Sequence, residues 1–476
     1  MRGKARVFLT FDVEDPVTPL SDDAVLWLAA MLRERGVPAA FFLTGDKARA
    51  LVRRKRLDVF EALRTHDIGY HTNHHSTHPT VAEYLEPHDW AGGVAEVVAR
   101  ERSGADLIRE LTGRRLCGFA TPGTSWGPQI PGALTGLDIP AHLHSFSRTG
   151  GGHNPHWYAG TLCFARSEAV GPVEDILPDP LRFAALLEEL PGLLERAARS
   201  EDGVLHLYVG HPTIFVNREF WDGINYAAGR NPDPEAPIRA PEPRPVAQTR
   251  TMLDNLAHLV DVVRACPSAE FVGFGEVVAD RRRAPVLHAG WFGRALAEAA
   301  AGPGIATTSR VLSPAQLLYA MCREVLGHDV ERDGPVPEVH GPVDRPDGTV
   351  ATGAPARVGR DRLLELAADV CRAGDATGAL PVLARATGGV AVPVASLYRS
   401  LLDLTADGAA GVRALRSPPE SVPLVEAPEL PEVGDEISEH FARRVRRWLH
   451  RPDLDVDELT RLTRAQTWTL RATAAA

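Results

Sequence analysis

From the start of the chain to about residue 285, short apolar runs alternate with stretches that carry apolar residues at helical spacing. Seven runs stand out: ARVFLTF (5–11), PAAFFLT (38–44), DIGYH (67–71), LCGFA (116–120), IPAHLH (139–144), GVLHLYVG (203–210) and AEFVGF (269–274). Between the first two, SDDAVLWLAAMLRERG has an acidic start, an apolar face and a closing Gly36, all of them helix signals. Strands that alternate with helices predict an α/β fold with a largely parallel sheet, and seven or so such units predict a barrel. In a parallel barrel the chemistry sits at the C-terminal ends of the strands, which directs attention to Asp12, His71, Pro122, His144 and His211. The Pro-rich stretch 231–248 reads as a long loop, a lid or a spacer, leading into an amphipathic helix.

After RRRAP (281–285) Ala, Leu and Arg dominate, strand signals fade, and Pro/Gly-rich linkers fall at about 333–356 and 417–434. The expected division is therefore a barrel over residues 1–285 and a smaller, mostly α-helical accessory region over 286–476. Within the second, LSPAQLLYAMCREVL (312–326) and AVPVASLYRSLLDL (391–404) each have Leu-Tyr four and five residues after a Pro. Each is followed by a Val-Pro segment, VPEVHGP or VPLVEAPELP, the pattern of a degenerate duplication.

Composition narrows the setting. The chain has 476 residues, a formal net charge of −10 and no Lys/Arg-rich block beyond RRKR (53–56), which disfavours nucleic acid and anionic membrane as partners. No apolar run approaches the roughly 20 residues that span a bilayer. The N-terminal apolar stretch is too short for a signal-peptide core, and five scattered cysteines suit a reducing compartment, so the expected location is the cytoplasm.

Two stretches carry candidate chemistry. FLTFDVEDP (8–16) runs a strand into three carboxylates, Asp12, Glu14 and Asp15; a strand end followed by a turn is the plain reading, since Asp and Pro are ordinary turn formers. HDIGYHTNHHSTHP (66–79) holds five histidines, with His71/His75 and His74/His78 at i, i+4, a spacing that on one helical turn aims two imidazoles at one cation. Acidic residues at one strand end and paired histidines at another would make a two-His, one-carboxylate site with open positions for water and substrate.

On these motifs, residues 5 to 280 resemble the polysaccharide deacetylase group (NodB homology, carbohydrate esterase family 4). FLTFDVED is similar to its TFDD-type first motif, GVPAAFFLTGDKA (36–48) to its GVxATFFxxG strand, and HDIGYHT..H to its GHEIGxHTxxH metal motif. LCGFATPGTSW stands where the family has RxPxG or RPPY, LYVGHP (207–212) resembles the YxHP motif, and EFVGFGEVV (270–278) the closing FVTLxEL element. The resemblance implies a distorted (β/α) barrel and metal-dependent hydrolysis of N- or O-acetyl groups, a hydrolase of carbon–nitrogen (non-peptide) bonds in carbohydrate metabolism. It also implies one divalent metal, zinc by default.

Carried over, Asp12 matches the catalytic base, His71 and His75 the metal-binding histidines, and His211 the general acid. The carboxylate ligand stays open between Glu14, third in a DxD pattern, and Asp15, within reach if the turn after Val13 is tight. The backbone N–H of Gly123, matching the Tyr of RPPY, is the implied oxyanion donor. Trp126 is a candidate substrate contact, and His78 a candidate partner behind the metal ligands. The sequence departs from the family at motif three, where Ala120 and Thr121 replace the arginine that orients and charges the base; Arg148 and Lys47 are candidate substitutes.

The implied partner is an acetylated small molecule or glycan. Two other readings stand beside an N-acetyl sugar: a small non-sugar amide-like bond on the same fold, and a catalytically degenerate glycan-binding barrel. The C-terminal region bears a faint resemblance to pseudomurein-binding-type repeats, and its helices at 435–450 and 455–470 are candidates for contact between copies of the chain.

Overall fold

The computed structural model describes residues 3–473 apart from 124, 145–154, 166–169, 201, 227–228, 284–286, 303–304, 306–310, 343–354, 406–408, 427–445 and 447–450. Nine strands of the N-terminal part form most of one sheet: β1 (Ala5–Val13), β2 (Ala40–Leu43), β3 (Asp67–Tyr70), β4 (Leu116–Ala120), β5 (Ala141–His144), β6 (His156–Tyr158), β7 (Thr161–Ala165), β8 (Val204–Gly210) and β9 (Ala269–Phe271). β1 is the hub. It pairs in parallel with β2 through Thr10–Val13, with β8 through Arg6–Phe11 and with β9 through Ala5–Val7. Parallel pairing continues from β2 through β3, β4 and β5 to β7, and the sheet curls into a partial barrel with helices around it. Every residue of β1 except Arg6 is buried, the continuous apolar run that a parallel strand covered on both faces requires.

The first connection follows its sequence signals. Helix α1 (Pro19–Glu34) starts on Pro at its first turn, buries Ala24, Val25, Leu28 and Leu32, and is followed by Gly36 at φ +65°, the left-handed position where a Cβ is disfavoured.

One strand pair departs from expectation. The stretch after the apolar run 139–144 contains none of the seven runs until 203, yet residues 156–158 and 161–165 form the hairpin β6–β7, which extends the sheet beyond β5. Tyr158 pairs with Thr161, leaving a two-residue loop of Ala159 (φ +49°) and Gly160 (φ +75°), the positive-φ pair of a type I′ turn. Residues 145–154 of that stretch lie outside the described residues.

A second core, from Trp291 to Val422 and joined by Trp468, gathers the helices Pro314–Val325, Arg360–Thr377 and Val394–Leu404 with two short two-stranded sheets. Both halves of the suggested duplication, 312–326 and 391–404, therefore contribute helices to this core. The C-terminal segment straps the two cores together. Leu454 and Leu459 pack into the barrel's core, and β10 (Arg471–Ala472) pairs antiparallel with β6 at the edge of the sheet. Trp468 packs edge-on against Tyr398 of the second core, ring centroids 5.4 Å apart. The helix Val456–Ala465 is thus engaged within the chain, while most of 435–450 lies outside the described residues. Among the described residues no helix is long and apolar enough to cross a membrane.

Candidate metal centre and active site

Asp12 and Glu14 leave β1 two residues apart, the period at which strand side chains share a face. Glu14 is buried, and its Oε2 lies 3.0 Å from His71 Nε2 and 2.9 Å from His75 Nε2. These three residues form the one group among the described residues whose atoms could jointly hold an ion.

Hydrogen bonding fixes the tautomers of both rings. His71 Nδ1 donates to the carbonyl of Ala120 at the end of β4 (2.9 Å), so in the neutral ring Nε2 is a bare lone pair. Ser76 donates its one hydroxyl hydrogen to Asp222 Oδ2 (3.0 Å), so its oxygen receives the Nδ1 hydrogen of His75 (2.6 Å) and that ring's Nε2 is bare as well. Two nitrogen lone pairs and a carboxylate oxygen then converge with no proton among them, an arrangement that a cation satisfies. Without an ion, the charges of the trio are strongly coupled. Burial alone would raise Glu14, but His75, His211 and His71 hold its carboxyl well below the usual range; burial alone would lower His75, but Glu14 outweighs it and raises the ring. One carboxylate and two imidazoles are a donor set that fits a divalent ion.

The histidines do not meet on a helical turn as their spacing suggests. Residues 71–79 form an irregular loop in which Thr72 (φ +66°) and His75 (φ +44°) adopt left-handed backbone, unusual for a β-branched residue and of the kind that collects at functional sites. Thr72 Oγ1 accepts from the N–H of His75 (3.1 Å), and the carbonyls of Thr72 and Asn73 accept from Gly45 (3.0 Å) and Asp46 (2.9 Å) at the first turn of α2 (Gly45–Arg53). The other i, i+4 pair diverges: His74 bonds Asp46 (3.2 Å) at the surface, and His78 bonds Glu83 (2.7 Å) and Asn231. The contacts of His78 are thus with a helix cap and a loop rather than with Glu14, His71 or His75.

Asp15 is taken up by structure. Its Oδ1 accepts from the N–H groups of Val17 (2.8 Å) and Thr18 (3.0 Å), and its Oδ2 accepts from the Thr213 hydroxyl (2.6 Å). This carboxylate ties the end of β1 to the chain just after His211, and Glu14 is the one that meets the histidines.

His211 follows β8 and sits 3.9 Å by Nε2 from both Asp12 Oδ2 and Glu14 Oε2. Its Nδ1 and backbone N–H both donate to Glu174, at 2.7 and 2.5 Å. Burial works against a charged ring, yet Glu174, Glu14 and Asp12 together push His211 up to about 10. The neighbouring Gly210 has φ +109°, and a Cβ there would lie 2.3 Å from the Glu174 carboxyl. Gly210→Ala is therefore expected to cost about 2 kcal/mol or more through strain and displacement of Glu174, read as a lowered Tm with loss of the Glu174–His211 contact in the variant's structure.

Asp12 receives a hydrogen bond from the Tyr208 hydroxyl (2.9 Å). Lys47 does not stand in for the missing arginine: its ammonium, fully buried, bonds the Asp15 carbonyl (2.8 Å), Ser21 (2.7 Å) and Asp22 (2.6 Å). Arg148 lies outside the described residues. Gly123 lies exposed in the loop after β4 at φ +51°. Trp126 belongs to the main core at 1 % exposure. A different tryptophan reaches the centre: Trp221 Nε1 donates to Glu14 Oε1 (3.2 Å), and its ring lies 5.6 Å from that of His75.

Glu174, Ser76 and Asp222 escape a motif reading. Glu174 and Asp222 lie in loops or at short helix starts with no periodic pattern, 37 and 146 residues from the groups they serve. The one local signal is Tyr208, three residues before His211 on the same strand.

Residues 2–140 match the family model for polysaccharide deacetylase. Among solved structures, a putative polysaccharide deacetylase from Mycobacterium smegmatis is 15% identical, covers 60% of this chain and 94% of its own, and has a TM-score of 0.37. A probable polysaccharide deacetylase from Pseudomonas aeruginosa PAO1 is 12% identical over 60% of this chain and 93% of its own, at a TM-score of 0.39. A family-four pseudoenzyme from Bacillus anthracis is 13% identical over 45% of this chain and 58% of its own, at a TM-score of 0.27. No curated protein matches the chain. The match to the polysaccharide deacetylase family model takes in both the first motif and the histidine motif of this chain.

Proposed function

We propose that the chain is a metal-dependent hydrolase that removes the acetyl group from an N-acetylated amine, with N-acetyl sugars as the substrate class and zinc as the ion. The observation that carries this reading is the convergence of Glu14 Oε2 with the bare Nε2 atoms of His71 and His75, beside a buried carboxylate and a histidine of opposite chemical roles. The family match over residues 2–140 supports the hydrolase class.

Glu14, His71 and His75 would hold a divalent ion, which when bound would supply Lewis acidity toward the acetyl carbonyl and make a nearby water more acidic. Asp12, buried at the end of β1, is the proposed base that takes the proton from the attacking water. The Gly123 N–H is the proposed donor to the oxyanion. His211 carries hydrogens on both ring nitrogens, because Glu174 can only accept at Nδ1 and the Tyr208 hydroxyl gives its own hydrogen to Asp12. It therefore has an Nε2 proton to give the departing amine, and Glu174 stabilises the charged ring until it does.

Ser76 and Asp222 hold His75 in the metal-binding tautomer. Ser76→Ala is expected to weaken zinc binding by about 10- to 100-fold, measured by competition with a chromogenic chelator.

The reading as a whole is tested by acetate release from zinc-loaded protein offered N-acetylglucosamine, its short oligomers and a panel of small amides. Release from the sugars supports it. Release only from small amides moves the substrate class, and no release from any of them contradicts it.

A further inference from the structure

We propose that Tyr208 is a positioning residue that holds the base and the acid in register through a single hydroxyl. The inference rests on the roles proposed for Asp12 and His211. Asp12 Oδ2 and His211 Nε2 lie 3.9 Å apart, too far for a direct hydrogen bond. The Tyr208 oxygen spans the gap, 2.9 Å from the first and 3.0 Å from the second.

The backbone is shaped to bring this about. On a regular strand, residues three apart point to opposite faces, so Tyr208 and His211 should not meet. The pairing of β1 with β8 shifts register between Thr10 and Phe11: Thr10 faces Tyr208, but Phe11 faces Gly210, and Val209 is the extra residue of a bulge. Together with Gly210 at φ +109°, this breaks the alternation and turns His211 back over Tyr208, with the two rings edge to face at 5.8 Å and 88°.

The hydroxyl itself argues for a role. At 3 % exposure, Phe would fill the same buried space without bringing a polar group that must be satisfied. What satisfies it here is the pair that would do the proton transfers. The hydroxyl donates to the carboxylate and accepts from Nε2, so it aims the acid's hydrogen while keeping its own throughout; the proton that reaches the amine comes from His211. In the family's pattern an arginine orients the base, and in this chain the base is held by a neutral group that also touches the acid.

The test is Tyr208→Phe in the zinc-loaded full chain, with Tm and zinc content checked against wild type. Steady-state kinetics on an N-acetylglucosamine oligomer should show kcat reduced on the order of 10- to 100-fold, with KM changed by less than about twofold. In ¹⁵N-histidine spectra the His211 Nε2 signal should move while Nδ1, bound to Glu174, stays. An unchanged kcat, or an unmoved Nε2 signal, overturns the proposal. Should wild type hydrolyse no acetylated sugar, the proposed function fails while the spectrum still decides the link: a moved Nε2 signal supports it and an unmoved one refutes it. If Phe destabilises the chain, 3,5-difluorotyrosine at position 208, which keeps the ring and alters the hydroxyl, is read by the same two measurements.

Discussion

Asp12→Asn is expected to lower acetate release from an N-acetylated sugar by about 10³-fold while leaving zinc bound. Asparagine keeps the shape of the side chain and can still accept from the Tyr208 hydroxyl, but it cannot take a proton from the attacking water. The proposed metal ligands are Glu14, His71 and His75, none of which this change removes. Kinetics and elemental analysis on one preparation check both halves. If Asp12→Asn lost its zinc together with its activity, Asp12 would be a ligand rather than the base.

His211→Ala should divide substrates by leaving group. An amine leaves only when protonated, so hydrolysis of an N-acetyl sugar should fall by about 10³-fold, whereas an acetate ester with a nitrophenolate leaving group should lose less than about tenfold. Equal losses on both would mean that His211 does something other than deliver a proton. The acid also predicts a pH profile. His211 works while both ring nitrogens carry hydrogen, so kcat holds as pH rises and falls once the ring deprotonates. The groups facing the ring are Glu174, Glu14, Asp12 and Tyr208, and the charges of the three carboxylates push it up to about 10 against the effect of burial. Glu174→Gln removes the largest favourable charge, so the ring gives up its proton at lower pH and the alkaline limb of kcat should move down.

Much of this was legible along the chain because strands carry their own signals. The seven apolar runs lie on seven strands of the sheet; Asp12 is near the end of β1, and the residues just past β1, β3 and β8 are Glu14, His71 and His211. The hairpin β6–β7 was hidden by its strands' shortness, three and five residues, and by His156, Trp157 and Tyr158, which read as a polar aromatic loop. Its Ala159-Gly160 turn was the available clue.

At the centre, spacing offered two histidine pairs and the family resemblance singled out His71 and His75, but neither carried their geometry. His71 and His75 meet through a loop with two left-handed residues instead of a helical turn, because α2 and the Thr72 side chain hold that loop. The choice between Glu14 and Asp15 depended on which carboxylate the turn itself needs, and Asp15 is consumed by Val17, Thr18 and Thr213. Glu174, Asp222 and Trp221 reach the site through tertiary packing and leave no local pattern. Trp126 illustrates the converse, an aromatic in a motif-like stretch that packs into the core.

The account stands or falls on the metal centre. Elemental analysis of the purified chain, alongside His75→Ala, should find about one zinc per chain in wild type and little or none in the variant, with both equally folded by Tm. No metal in wild type after reconstitution with zinc, or equal zinc in both proteins, would contradict a centre built from Glu14, His71 and His75.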